Sequence, residues 1–211
     1  GRLPDRLHGK FGVVGGAQLA HQHHVEIAAD LPGHDLADGH STARNGQYQG
    51  MLVAIAFQAV GQLMGSERVA SAAATKFRAR HATLQKENAG RTPVRVFYQV
   101  WDRPLMTINR EQIISDAMRV CGAVNVFGDL PAIAPTIDEE SVLAANPDLI
   151  VTTDVHGAKD LALARWQRWP KLKAVARGNL VLLPRDHLNR AGPRIADGAE
   201  ALCAAVEKAR R

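Results

Sequence analysis

Apolar positions along the chain fall into two regimes. From about residue 51 they recur with regular spacing; before it they show little sustained periodicity. Met51–Met64 reads as a helix, which Gly65 stops as a C-cap. Ser66 with Glu67 restarts the chain as a second helix over about Glu67–Lys86, rich in Ala, Arg and Leu. Val69, Ala73, Phe77, His81 and Leu84 give that helix one apolar stripe, and Gly90 and Pro93 end it. Val94–Val100 is dense in β-branched and aromatic residues, as a strand requires. A helix over Glu111–Cys121 turns Ile113, Ile114, Ala117, Met118 and Cys121 inward. Thr136 through Glu139 reads as a capping box opening a short helix with Val142, Leu143 and Ala144. "PDLIVTT" (147–153) is a strand, Asp160–Trp169 a helix, "NLVLLP" (179–184) a third strand, and Ile195–Lys208 a terminal helix with Pro193 at its first turn. Strands alternating with helices predict a parallel α/β sheet. Three strands make a small sheet, so residues 92–211 read as one lobe of something larger.

Composition narrows the function classes. Of 211 residues 46% are hydrophobic, enough for a real core, but only 5% are aromatic, so each Trp is informative. No apolar run approaches the ~20 residues that span a bilayer. No signal peptide is visible, and Gly1 is not an initiator Met, so the chain reads as a mature form or a fragment. The net charge of +5 reads as ordinary solubility. Lys and Arg are scattered, without the aromatic-interleaved stripe that nucleic acid would require, which excludes that partner. Residues 1–50 hold half of the glycines and six of the nine histidines, with a short strand at Phe11–Val14 and a short helix near Ala17–Ala29 as their predicted elements.

Catalytic motifs are mostly missing. There is no P-loop, GxSxG, HExxH or helix-opening GxGxxG, so no enzymatic turnover is expected. "HQHH" places His21, His23 and His24 together, with His34 and His40 nearby, as a capture tract for zinc, nickel or copper. No carboxylate sits at a spacing that fixes a site there, so no metal site is assigned. Two cysteines, Cys121 and Cys203, cannot alone form a four-ligand zinc site; they are buried thiols or one disulfide. The strand exits are richer. In open parallel sheets ligands bind beyond the carboxyl ends of the strands. The first exit carries Trp101, Asp102 and Arg103, the second Thr152 through His156, and the third Arg185, Asp186, His187, Asn189 and Arg190. Flat apolar faces beside hydrogen-bonding groups suit a large, partly polar organic ligand.

"RVFYQVWDRPLMTINREQI", "VCGAVNVFGDL", "DEESVLAANPDLIV" and "RDHLNRAGPRI" occur in the order and spacing of a known family. Residues 92–211 resemble the C-terminal lobe of periplasmic cobalamin-binding proteins of ABC importers, part of the wider group that binds cobalamin, siderophores and haem. The resemblance implies a Rossmann-like C-terminal α/β lobe over 92–211, a long bridging helix over 66–91, and an N-terminal lobe over 1–65 that is partial or aberrant here. It implies a monomer in the periplasm that takes cobalamin or a similar large ligand between two lobes and delivers it to permease subunits. It carries ligand contacts onto Val100, Trp101 and Met106, and onto Ala134, where relatives can have a large aromatic and this chain has a weaker contact. Asp186, His187 and Arg190 match a ligand-contacting loop, and Glu140 matches a Glu that docks onto permease arginines. Cys121 and Cys203 match the positions of a disulfide, which an oxidising periplasm permits. Two readings compete: a siderophore-, haem- or metal-binding protein of the same architecture, and a non-functional truncated or frameshifted remnant whose first 50 residues are out of frame.

Overall fold

Period-two alternation along the strands sets the layers. The structure, a computed structural model, describes residues 42–153, 161–188, 192 and 194–211. Four strands, β1 (Val94–Gln99), β2 (Ala123–Asn125), β3 (Leu149–Thr153) and β4 (Leu180–Leu183), form one parallel sheet in the order β2-β1-β3-β4. Val94, Val96 and Tyr98 of β1 and Leu149 and Val151 of β3 enter one core, while Phe97 and Ile150 enter the other. Burial on both faces is what a parallel sheet between helices requires. The register pairs Val96 with Leu149 and Ile150 with Leu180, which aligns the carboxyl ends of the strands along one edge. β2 extends the three-strand expectation to four. Three residues are too few to show an alternation, and β2 is held by its pairing to Val94–Val96.

Helix α1 spans Thr42–Leu63 and α2 spans Glu67–Asn88. They form a hairpin through Gly65, whose φ of +64° suits glycine. α1 begins nine residues before the expected Met51, in a Gly- and Gln-containing stretch without a clear apolar stripe. Where the hairpin closes, a Cβ added at Gly61 would lie 2.2 Å from the Cβ of Ala70, so the two helices meet backbone to side chain there. The α2 stripe follows the predicted one at Phe77, His81 and Leu84, and is shifted by one position only at its start, from Val69 and Ala73 to Ala70 and Ala74. Val69 is 72% exposed, and Ala70, Ala74, Phe77, His81 and Leu84 face inward. Ser66 occupies the N-cap position without a side-chain capping bond.

Helix α3 (Ile113–Val120) is capped by the Gln112 side chain, which accepts from the Ile114 amide. Helix α4 (Glu139–Ala145) corrects the capping-box reading. Thr136 is still extended, bridged to Met106, and Ile137 donates its N–H to Leu105, so the helix cannot open there. Asp138 is the N-cap, and its carboxylate accepts from the Ser141 amide at 2.7 Å. The helix expected over 160–169 resolves into α5 (Leu161–Ala164) and a 3₁₀ turn, Arg165–Arg168. Short helices α6 (Lys173–Ala176) and α7 (Arg185–Leu188) precede the terminal α8 (Ile195–Arg210). The predicted elements at Phe11–Val14 and Ala17–Ala29, and Pro193, lie outside the described residues.

α2, α3 and α8 share one face of the sheet. Arg80 on α2 binds Asp197 at 2.6 Å and Glu200 at 2.7 Å on α8. Cys121, the C-cap of α3, is disulfide-bonded to Cys203 on α8. Of the two alternatives left open by spacing, the disulfide is the one present. Its sequence separation of 82 makes the loop-closure contribution ~4–5 kcal/mol. Reduction without denaturant, followed by urea unfolding, is expected to lower stability by about that amount. A loss below about 1 kcal/mol would contradict a loop-closure role.

Between these helices lies a cavity of about 30 Å³ bordered by Phe77, His81, Leu84, Ile113, Asp116 and Ile195. The His81 ring stacks on Phe77 with centroids 6.4 Å apart, and its buried Nε2 has no partner. Burial pushes the His81 pKa below its ordinary 6.5, Asp116 pulls it back up, and Arg119 pushes it down. The native ring is therefore neutral where the unfolded chain already binds a proton. Stability is untouched above pH 6.5 and falls as pH drops from there toward the depressed native value. His81→Gln should remove this part of the loss. Thermal melts at about pH 7.5 and about pH 5.5 should show a smaller drop for the variant than for the wild type; equal drops would contradict the assignment.

Candidate functional site

Because the sheet is parallel, everything that leaves its carboxyl edge converges on one side of the lobe. β1 leaves it first. Its last residue, Gln99, carries a primary amide that is 1% exposed and fully inside the protein. The amide nitrogen donates to the Ala162 carbonyl at 3.1 Å, and the amide oxygen accepts the Trp166 indole N–H at 2.8 Å. Trp166 is itself fully buried, edge-on to Phe97 with centroids 5.6 Å apart. These bonds fasten the 161–168 segment to the end of β1.

Beyond Gln99 the chain makes a tight reversal through a cis Arg103–Pro104 bond. The Val100 amide donates to Met106 O at 2.9 Å, and the Met106 amide donates to Trp101 O at 3.1 Å. The returning segment then runs antiparallel to residues 133–137. Thr107 donates to Pro135 O, Asn109 to Ile133 O, and Ile137 to Leu105 O, all within 2.9–3.0 Å. Isolated bridges link Trp101 to Met106 and Met106 to Thr136. The result is a small three-segment ladder standing on the sheet edge, pinned by the Thr107 hydroxyl to the Tyr98 carbonyl at 2.9 Å.

This ladder brings together four of the sequence-predicted residues. Val100 and Met106, both within it, are partly buried. Trp101 is 41% exposed, with its indole N–H donated to Arg103 O at 2.9 Å across the reversal. Ala134 is exposed. Beside it Ile133, 56% exposed, supplies apolar surface that the sequence reading missed. The only signal for it was an apolar residue stranded between Pro131 and Pro135.

The predicted residues of the last exit are placed differently. Asp186 lies in α7, with its side chain outside the described ones, and Arg190 lies outside the described residues altogether. His187 is partly buried, with an Nδ1 that has no hydrogen-bond partner. The Asp197 carboxyl of α8 is held below its ordinary range, first by the Arg80 hydrogen bond. The His187 carbonyl lies beneath Gly198, where an added Cβ would approach it to 2.7 Å. Glu140 is exposed in the first turn of α4, with no ion pair among the described residues. Its neighbour Glu139 is engaged instead: Arg165 and Arg168 both bind its carboxylate. Burial alone would raise the Glu139 pKa, but the hydrogen bonds from these two guanidinium groups hold it below the usual carboxylate range. Asp102 is 3.4 Å from its neighbour Arg103 but binds more closely to Arg165, through both its carboxylate and its carbonyl.

Among the described residues no cluster of three or more His, Cys, Asp or Glu could hold a metal ion. His21, His23 and His24 lie outside them. Among the described residues no helix is long and apolar enough to cross a membrane.

A parallel α/β lobe preceded by a long helix, with Trp101 and Ile133 exposed at its strand-end edge, has its candidate site where open parallel sheets bind ligands. Residues 51–187 match the periplasmic binding protein family, and the chain belongs to that family. The vitamin B12-binding protein of Vibrio cholerae is 30% identical over 154 residues, covering 73% of this chain and 55% of the relative. That of Photorhabdus laumondii is 34% identical over 134 residues, covering 64% of this chain and 46% of the relative. This chain thus spans about half the length of the curated relatives it matches. The crystal structure of the periplasmic vitamin B12 binding protein of Vibrio cholerae superposes with a TM-score of 0.69 over 77% of this chain and 63% of that one, at 30% identity. A periplasmic heme-binding protein from Roseiflexus sp. shares the fold with a TM-score of 0.65 at 18% identity, over 74% of this chain and 62% of that one.

The Gln99–Trp166 bond is the anchor of the edge. Trp166→Phe should cost roughly 2–4 kcal/mol in urea unfolding, because it orphans a buried amide oxygen and opens a small void. A loss under about 0.5 kcal/mol would show that the bond does not hold the edge.

Proposed function

We propose that this lobe belongs to the substrate-binding component of an ABC importer, which binds cobalamin or a related corrinoid and delivers it to a permease without turning it over. The observation that carries the reading is the Trp101–Met106–Thr136 ladder at the carboxyl edge, with the Trp101 ring and Ile133 turned to solvent. A corrin is broad and flat, with an apolar macrocycle and a rim of amides. It is matched by a flat indole beside aliphatic side chains, with hydrogen-bonding groups at the margin. In this reading Val100, Trp101, Met106 and Ala134 line one wall of the ligand site, and Asp186, His187 and Arg190 supply hydrogen bonds from the last strand exit. Glu140 docks onto permease cations, an acid in the first turn of a helix where it is also favoured by the dipole. The names of the relatives at 30% identity and above support a corrinoid over other large ligands. A monomer working in the periplasm fits the family and the disulfide.

The test is a titration of the purified chain with cyanocobalamin, haem and a ferric hydroxamate in parallel. Cyanocobalamin should bind most tightly. Trp101→Ala should weaken it about tenfold or more, as loss of an aromatic anchor does, and Glu140→Gln should leave it unchanged. Preference for haem or the hydroxamate would reassign the ligand within the same architecture. Binding of none of the three is what the remnant reading requires.

A further inference from the structure

Arg165 stands between the two ends of the proposed function. Its Nη1 donates to the Asp102 carbonyl at 2.8 Å and to the Asp102 carboxylate. Its Nη2 donates to Glu139 Oε1. The second Glu139 oxygen takes Arg168, and the Trp169 indole N–H reaches it at 3.4 Å. Asp102 follows Trp101 directly, and Glu139 precedes Glu140 directly. The guanidinium carbon lies 5.7 Å from the centroid of the Trp166 ring, which is bolted to Gln99 at the end of β1. The side chains of Arg165 and Glu139 are only 21% and 18% exposed, so this network is sheltered more than an ordinary surface pair. A planar fork is what allows one cation to satisfy two carboxylates in fixed directions; an ammonium reaches one at a time.

We propose that Arg165 is a positioning residue that ties the Trp101 wall to helix α4. A change at the Glu139–Glu140 corner is then felt at Trp101, and a change at Trp101 is felt at the corner. For the identity of the two ends, ligand wall and docking helix, this rests on the function proposed above; the mechanical tie itself does not. If the ends are as proposed, the coupling is reciprocal: a partner pulling on α4 loosens the ligand wall, and a filled wall fixes the docking corner.

The test uses the full chain with 5-fluorotryptophan at its three Trp positions, each ¹⁹F line assigned by a single Trp→Phe variant. The Trp101 line is compared in wild type, Glu139→Gln, Arg165→Met, Arg165→Lys, and each Arg165 variant combined with Glu139→Gln. Glu139→Gln should move the Trp101 line when Arg165 is present. It should move it no further in the Met or Lys background, although Lys retains the charge and the fold. A Trp101 line indifferent to Glu139→Gln in the wild-type background overturns the proposal, as does a shift that persists without Arg165. Cyanocobalamin titration of the same proteins separates the two readings. Arg165→Lys should weaken binding about tenfold through a less organised wall. If the wild type binds no cyanocobalamin, the assigned function fails, and the Trp101 line still decides the tie.

Discussion

A primary amide buried at the end of a strand must find its hydrogen bonds inside the protein, because an unmet one costs more than a met one returns. Gln99 is that group here. Its amide finds the Ala162 carbonyl on one side and the Trp166 indole on the other, and both lie in the segment that follows β3 in the chain. Satisfying Gln99 therefore decides where residues 161–168 go. Arg165 is delivered to the side of the 101–103 reversal, and the Glu139 turn of α4 is delivered to Arg165. The reversal in turn starts the ladder that exposes Trp101 and Ile133. The base of this edge is a polar bond inside an apolar core, and the edge is placed because that bond has few geometric solutions.

The lobe was legible where the chemistry is local. Short runs dense in β-branched, aromatic and other apolar residues placed β1, β3 and β4, and the strand exit at Val100–Trp101 followed from them. The readings that failed concern partners distant in sequence. β2 is three residues long and is a strand only because Val94–Val96 lies beside it. Thr136 has the composition of a cap, but its pairing to Met106 keeps it extended, and Asp138 does the capping. The α2 stripe keeps Phe77, His81 and Leu84 but is displaced by one residue at its start, because Ala70 and Ala74, small and weakly apolar, face the core while the larger Val69 does not. The Asp102–Arg165–Glu139 network joins residues 63 and 26 positions apart and has no sequence signature. The disulfide pairing came from resemblance; spacing alone left free thiols open.

As a member of the periplasmic binding protein family, the chain carries the parts expected of one lobe: a parallel sheet, a long helix at its start, and a terminal helix stapled to α3 by Cys121–Cys203. Two kinds of restraint hold the helices of that face. The disulfide acts on the unfolded chain, and the Arg80 bridges to Asp197 and Glu200 join α2 to α8 in the folded one. The Trp101 edge lies at the far ends of the strands, and its geometry depends on Gln99, Trp166 and Arg165 rather than on those restraints.

The central claim is that the 100–107 reversal and the 133–137 segment it pairs with form the ligand wall. Amide hydrogen exchange of the chain with and without saturating cyanocobalamin tests it most directly. The account predicts slowed exchange concentrated in these two segments, with smaller effects in Arg165–Arg168 and at the start of α4. Slowed exchange elsewhere, with these two segments unchanged at saturation, would contradict it.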